Sequence, residues 1–259
     1  MPVNEYFQEN TSSWIYQAPV KKTKANGAPS ATTVYLKESA SSNASPRFQL
    51  ERLKTPFGIQ NGLEDSNPGR KNMEVNVTSE RLREWCRAVD TQNIDWTTRN
   101  CPSLFKKEME RGVIEGYLRP LIPEQTNPNY PPLLRLKINC SGSKNDTNIL
   151  IVTGGDENNL QFRRGTVEEV QKDSVVLPIV EASSLWFMPK NFGMSLVCTD
   201  ILVFPIAKRC FDFQLGGISA VQCDVPPQGQ QQQQQQEQGQ QQEQGQQQEQ
   251  QMNETVMSE

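Results

Sequence analysis

Apolar and polar positions alternate over several stretches of this chain, and the alternation has period two. PRFQLERLKTPFGIQ (46–60) places Phe48, Leu50 and Leu53 on one face and predicts a strand stopped by Pro56 and Gly58. MEVNV alternates at Met73, Val75 and Val77, the pattern of a half-buried strand. LLRLKINC puts Leu134, Leu136 and Ile138 on one face and Arg135 and Lys137 on the other. NILIVTGG, VEEVQ, SVVLPIVEASSLWFMP, GMSLVCTDILVFP and CFDFQL read as further strands. The period changes between residues 79 and 118. Leu82, Trp85, Cys86 and Val89 have helical spacing behind Thr78 or Ser79 as a cap, and a second helix is expected from Ser103 to Tyr117. Strands, two helices, then many strands is not a βαβα order, so a parallel doubly wound sheet is disfavoured. The expected fold is mainly β with a helical insertion (α+β), an antiparallel barrel or sandwich.

Composition trims the folded length. From Pro226 onward nearly every residue is Gln, Glu or Gly, with a QQQEQG-like repeat and no apolar residues to bury until the last few positions. Residues 226–259 are therefore expected to be a disordered tail. Residues 1–45 are read as a disordered N-terminal arm, which leaves one β domain over 46–225 with its helical insertion at 79–118. Inside the arm, Trp14, Ile15 and Tyr16 form a short aromatic cluster, which either pins the arm to the core or serves as a partner-binding peptide. Pinning is the expected role.

Charge changes the picture in one respect. The tail holds five glutamates and no Lys or Arg, whereas the chain between the first thirty residues and the tail balances at 23 basic and 23 acidic residues. A neutral body has no global nucleic-acid signature, but a local basic groove depends on distribution, not on the sum.

Several chemistries are excluded. The chain has no histidine, so Ser-His-Asp and Cys-His sites cannot form. Its six cysteines include no C-x-x-C pair, so neither zinc nor another cofactor is expected. P-loop and G-x-G-x-x-G signatures are absent, and Gly154-Gly155-Asp156 is expected to be a hairpin turn. Glu168 and Glu169 are adjacent in a predicted strand and should point to opposite faces, while Asp90 and Asp95 are expected to cap a turn at a helix end. MPVNEYFQEN lacks the apolar core of a signal peptide, and no apolar run is long enough to span a membrane, so an intracellular, non-secreted protein without a membrane partner is expected.

What remains is a mixture of cations and aromatics. Lys54 and Phe57 follow one strand, Arg70 and Lys71 end a loop, and Arg135 and Lys137 share a strand face. Arg163 and Arg164 follow Phe162, and Trp186, Lys190 and Phe192 crowd one strand end with Phe187. Single-stranded nucleic acid is bound by this combination, because cations track phosphates and aromatic faces stack on bases. The same residues also suit core aromatics beneath a solvated charged surface. A regular strand can turn only one of Trp186 and Phe187 outward.

The succession KTPFGIQ, RKNMEVNV, LREWCRAVDTQNID, SLFKKEMERGVIEGYLRPLI, YPPLLRLKI and SSLWFMPKNFGMSLVCTDILVFP resembles the phage-type single-stranded-DNA-binding proteins found in large eukaryotic DNA viruses, including those of algae. The resemblance covers about residues 50–205. It implies an OB-fold, a five-stranded Greek-key barrel with a helix, and a non-catalytic role coating single-stranded DNA in viral replication or repair. It also implies an acidic C-terminal tail that competes with DNA and recruits replication proteins. This tail departs from the pattern in being diluted with glutamine and in ending Ser-Glu, without a terminal aromatic. A host cytoplasmic or nuclear location during infection follows from the resemblance, and a homo-oligomer is compatible with it. The alternative is a viral structural or virion-associated β domain that packs against other proteins.

Overall fold

The computed structural model describes residues 3–204, apart from 9, 24–28, 62–68, 126, 144–145 and 157–158. The N-terminal part carries β1 (Asn4–Glu5), β2 (Ile15–Tyr16), β3 (Val20–Thr23) and β4 (Pro29–Lys37). Then come β5 (Arg47–Gln49), β6 (Leu53–Lys54), β7 (Ile59–Asn61) and β8 (Arg70–Asn76). Helices α1 (Glu80–Phe105) and α2 (Arg111–Tyr117) precede β9 (Leu118–Arg119) and β10 (Leu133–Asn139). The rest is β11 (Asn148–Asp156), β12 (Asn159–Arg164), β13 (Val175–Met188) and β14 (Asn191–Phe204). The fold is mainly β with two helices.

Five segments close a ring. β13 and β14 form a long antiparallel hairpin from Val175↔Phe204 to Met188↔Asn191. β14 pairs with β10 and β10 with β8. Residues 47–61 complete the circle, pairing first with β13 through β5 and β6, then with β8 through β7. The bend between the two halves is at Thr55–Gly58. Gly58 has φ +70°, and a Cβ there would come within 2.4 Å of the Val170 carbonyl oxygen, so only glycine fits. The sheet is mixed where an antiparallel one was expected: β10 and β11 both run parallel to β14. The ring itself requires a parallel pair. Directions cannot alternate around an odd number of strands, so a closed five-membered barrel needs at least one parallel ladder, and it falls between β10 and β14.

The core lies where the alternation placed it. Met73, Val75, Val77, Leu134, Leu136 and Ile138 are fully buried, and the register sets Leu136 opposite Met73 and Leu134 opposite Val75. In β13 the buried phase runs Val176, Val180, Ala182 and then shifts at an irregularity between Ala182 and Ser184, so that Leu185 and Phe187 point inward. A bulge moves one residue from one face to the other, and here it turns Trp186 outward.

Three expectations are corrected. Residues 1–45 are not a disordered arm where they are described. Tyr6, Trp14, Val34 and Leu36 are buried, and Thr32–Tyr35 of β4 pair with Ser184–Phe187 of β13. Trp14 stacks on Phe48 at 6.2 Å and meets Trp85 edge-on, which pins the segment to barrel and helix at once. Tyr16 stacks on Trp96 at 4.8 Å and donates its hydroxyl to Asn93 Oδ1 at 2.8 Å.

Second, α1 does not stop near residue 90. It runs for 26 residues to Phe105, with Ser79 as its N-cap and Lys106 in the left-handed conformation at its end. Its buried stripe continues through Asp90, Asn93, Ile94, Thr97 and Cys101. Asp90 and Asp95 therefore lie within the helix and cap nothing.

Third, VEEVQ is not a strand. Val167–Glu169 form a single 3-10 turn closed by a capping box between Thr166 and Glu169. Gly154 and Gly155 lie at the end of β11 in the β11–β12 hairpin, Gly155 with φ +96°. The CFDFQL stretch, the remainder of the 46–225 domain beyond residue 204, and the 226–259 tail lie outside the described residues.

Candidate nucleic-acid interface

Inward packing of the even positions of β10 forces its odd positions outward. Leu133, Arg135 and Lys137 therefore face one side of the barrel, beside Arg70, Glu74 and Asn76 of β8. Trp186 and Met188 of β13 and Ser195 of β14 extend this floor. Two walls rise from it. One is the bend with Pro56 and Phe57. The other is the proline-rich segment after α2, with Arg119, Pro120, Leu121, Pro123 and Tyr130. Together they enclose an open groove of about 1470 Å³.

Among the described residues four cations line the groove, Arg70, Arg119, Arg135 and Lys137, against two carboxylates, Glu74 and Glu124. Arg135 is held by Glu74 Oε1, which accepts from its Nε at 3.1 Å and its Nη2 at 2.7 Å. Lys137 is half-buried and donates to Ser195 Oγ at 2.7 Å. Burial, and then the charge of Arg70, pull the Lys137 ammonium below the ordinary lysine range. A cation in that state is under-solvated, and an incoming anion relieves it. Arg70 and Arg119 have no carboxylate within salt-bridge distance among the described residues. Three aromatics accompany these charges: Phe57 is 49% exposed, Tyr130 is 67% exposed, and Trp186 is half-buried. The Trp186 ring lies close over Gly193, where a Cβ would come within 2.9 Å of it.

Five residues singled out in the sequence thus meet in one place: Phe57, Arg70, Arg135, Lys137 and Trp186. The others do not line the groove. Lys54 pairs with Asp173 at 2.8 Å, and Lys71 sits on the inward phase of β8 with its ammonium 3.6 Å from Glu168. Arg163 and Arg164 lie on β12, where Arg163 is bound by Glu169. Lys190 is exposed in the turn between β13 and β14. Phe192 is fully buried and stacks on Phe187 at 5.4 Å, so it is core and not a base-stacking platform. Arg119, Tyr130 and Glu74 were not expected. A cation and an aromatic among the prolines of RPLIPEQTNPNYPP (119–132) are a usable signal for the first two, whereas nothing local marks Glu74. Among the described residues, no cluster of three or more Cys, Asp or Glu side chains could hold a metal ion.

No family model and no curated protein matches the chain. Solved structures give distant matches. One is gp2.5, a single-stranded DNA binding protein encoded by bacteriophage T7: 9% identity over 69% of this chain and 100% of that one, TM-score 0.42. Another is the single-stranded DNA-binding protein of bacteriophage Enc34 in complex with ssDNA, at 11% identity, 72% and 93% coverage and TM-score 0.37. The same Enc34 protein without DNA matches at 10% identity, 76% and 97% coverage and TM-score 0.37. At these scores the similarity is coarse, and the function has to be read from the groove.

Proposed function

We propose that this protein binds single-stranded DNA along the groove, without catalysis, in viral DNA replication or repair. The observation that carries the reading is the convergence, among the described residues, of four cations and three aromatics on one open surface with two carboxylates. Aromatics along the walls and floor of a groove suit bases that are already unstacked. Reading duplex DNA in the major groove takes a protruding helix or ribbon instead. Lys137 and Arg70 lie on the floor and Arg119 on the wall, so phosphates can be followed along the groove while Phe57, Tyr130 and Trp186 take base faces. The glutamate-bearing tail is proposed to compete for the same cations and to recruit replication proteins inside the host cell, on the strength of its five carboxylates and lack of basic residues.

The test is fluorescence-anisotropy binding of oligo-dT and of a matching duplex over a salt series. Oligo-dT should bind more tightly than duplex and lose affinity steeply with salt, and a form ending at residue 225 should bind more tightly than the full chain. Trp186→Ala should weaken oligo-dT binding by about 10-fold, within the roughly 1–3 kcal/mol attributed to one base–aromatic stack. Equal affinity for duplex and single strand, unchanged by Trp186→Ala, would remove the reading.

A further inference from the structure

The wall that carries Arg119 and Tyr130 packs Leu121 and Ile122 against the core, and at its far end the Val77 N–H donates to the Pro132 carbonyl at 2.7 Å, but its middle has few backbone hydrogen bonds. Pro120, Pro123, Pro128, Pro131 and Pro132 supply no N–H, so regular backbone pairing is closed to much of the segment. Two-residue pairing of β9 with Phe192 and Gly193 ties its start, and Gln125 Nε2 donates to the Pro131 carbonyl at 2.5 Å within the segment itself. Between them, the Leu121 N–H donates to Asp90 Oδ2 at 3.0 Å. Donor and acceptor lie 31 residues apart in sequence, and both residues are 8% exposed.

Asp90 is an odd choice for packing. It belongs to the buried stripe of α1, where an apolar residue would cost less than a carboxylate. Its Oδ1 has no hydrogen-bond partner among the described residues, nor have Asn93 Nδ2 and Thr97 Oγ1 further along the same stripe. What the carboxylate does provide is an acceptor for an N–H that would otherwise be buried and unpaired next to Pro120.

We infer that Asp90 is a positioning residue that fixes the 118–131 wall to α1 and so sets the places of Arg119 and Tyr130 in the groove. This rests on the proposed reading of the groove as the DNA site. α1 is then the frame for one side of that site as well as a cover for the barrel.

The test uses the full-length protein and two variants, Asp90→Asn, which keeps an acceptor oxygen, and Asp90→Leu, which removes it. Amide hydrogen exchange is followed at Leu121 and across β11–β12, and oligo-dT affinity is measured on the same samples. In the wild type and in Asp90→Asn the Leu121 amide should be protected. In Asp90→Leu it should exchange at least about 10-fold faster, as a local opening, with β11–β12 unchanged. Affinity should drop about 10-fold in Asp90→Leu, equivalent to about 1.4 kcal/mol, and stay within about 2-fold of wild type in Asp90→Asn. Should Asp90→Leu not fold, the wild-type exchange still decides: a Leu121 amide no slower than the rest of 118–131 overturns the inference. Equal losses in Asn and Leu variants also overturn it. Failure of the wild type to bind oligo-dT would instead sink the DNA reading, and the exchange result would stand by itself.

Discussion

Replacing Arg70, Arg119 and Lys137 together by glutamine is expected to weaken oligo-dT binding by about 100-fold at low salt. Each phosphate contact made by a cation releases counterions, and for single strands the slope of log K against log salt changes by about 0.7 per contact. Losing three contacts should therefore flatten the slope by about 2. Glutamine is shorter than lysine or arginine but stays polar while removing the charge, and none of the three holds a salt bridge among the described residues whose loss would unsettle the fold. Among the described residues Lys137 donates to Ser195 Oγ alone, a single hydrogen bond. Glu74→Gln moves the other way: it removes a carboxylate from the floor and frees Arg135, so affinity should rise by about 3-fold and the salt slope should steepen. A triple variant with unchanged affinity and slope would show that these cations are a solvated surface and nothing more.

Stability should fall as pH rises between roughly 4 and 7, and Asp90 should be responsible. Burial pushes its carboxyl up from the ordinary 3.8 to about 7, and the Leu121 N–H offsets only part of that. In the unfolded chain the group returns to its ordinary value, so between the two the folded state binds more protons than the unfolded state. The sign follows: stability is highest where Asp90 is protonated, and it declines as pH climbs through the window. The slope is at most about 1.4 kcal/mol per pH unit, or about 4 kcal/mol across the shift of roughly three units. Cys86, one turn earlier, does not titrate in this range, because burial and the Asp90 charge push its thiol far above it. At the acid end the trend reverses. Hydrogen bonds from Arg163 and Lys54 hold the Glu169 and Asp173 carboxyls low, and their contributions are lost as pH falls through those depressed values. Urea denaturation at pH 5, 6, 7 and 8 should show the decline in the wild type and a much shallower one in Asp90→Asn, where the burial-raised Glu181 carboxyl still acts in the same direction. Parallel curves for the two proteins would refute the assignment.

The barrel was legible because its strands obey a simple rule. Leu134, Leu136 and Ile138 alternate with Arg135 and Lys137, and burying the first set necessarily presents the second. The helix was only half legible, since Asp90, Asn93 and Thr97 occupy buried positions with polar side chains and hide the apolar stripe. The N-terminal segment was misread for another reason. Tyr6 and Trp14 are isolated in polar sequence, and what orders them is Trp85 and Phe48, residues that local patterning cannot bring near. Within the site, the sequence showed that only one of Trp186 and Phe187 could face outward, but the choice was made by a bulge between Ala182 and Ser184. Arg163 and Arg164 look like binding residues because they adjoin Phe162. Adjacency in sequence does not place a strand, and β12 pairs with β11 away from the groove floor.

Photocrosslinking of an oligonucleotide carrying 5-iododeoxyuridine, followed by mass spectrometry of the linked peptides, tests the central claim most directly. Crosslinks should fall on peptides containing Trp186, Tyr130 and Phe57, the three aromatics of the groove. Crosslinks concentrated on Phe162 and the β11–β12 hairpin, with none in the groove, would contradict it.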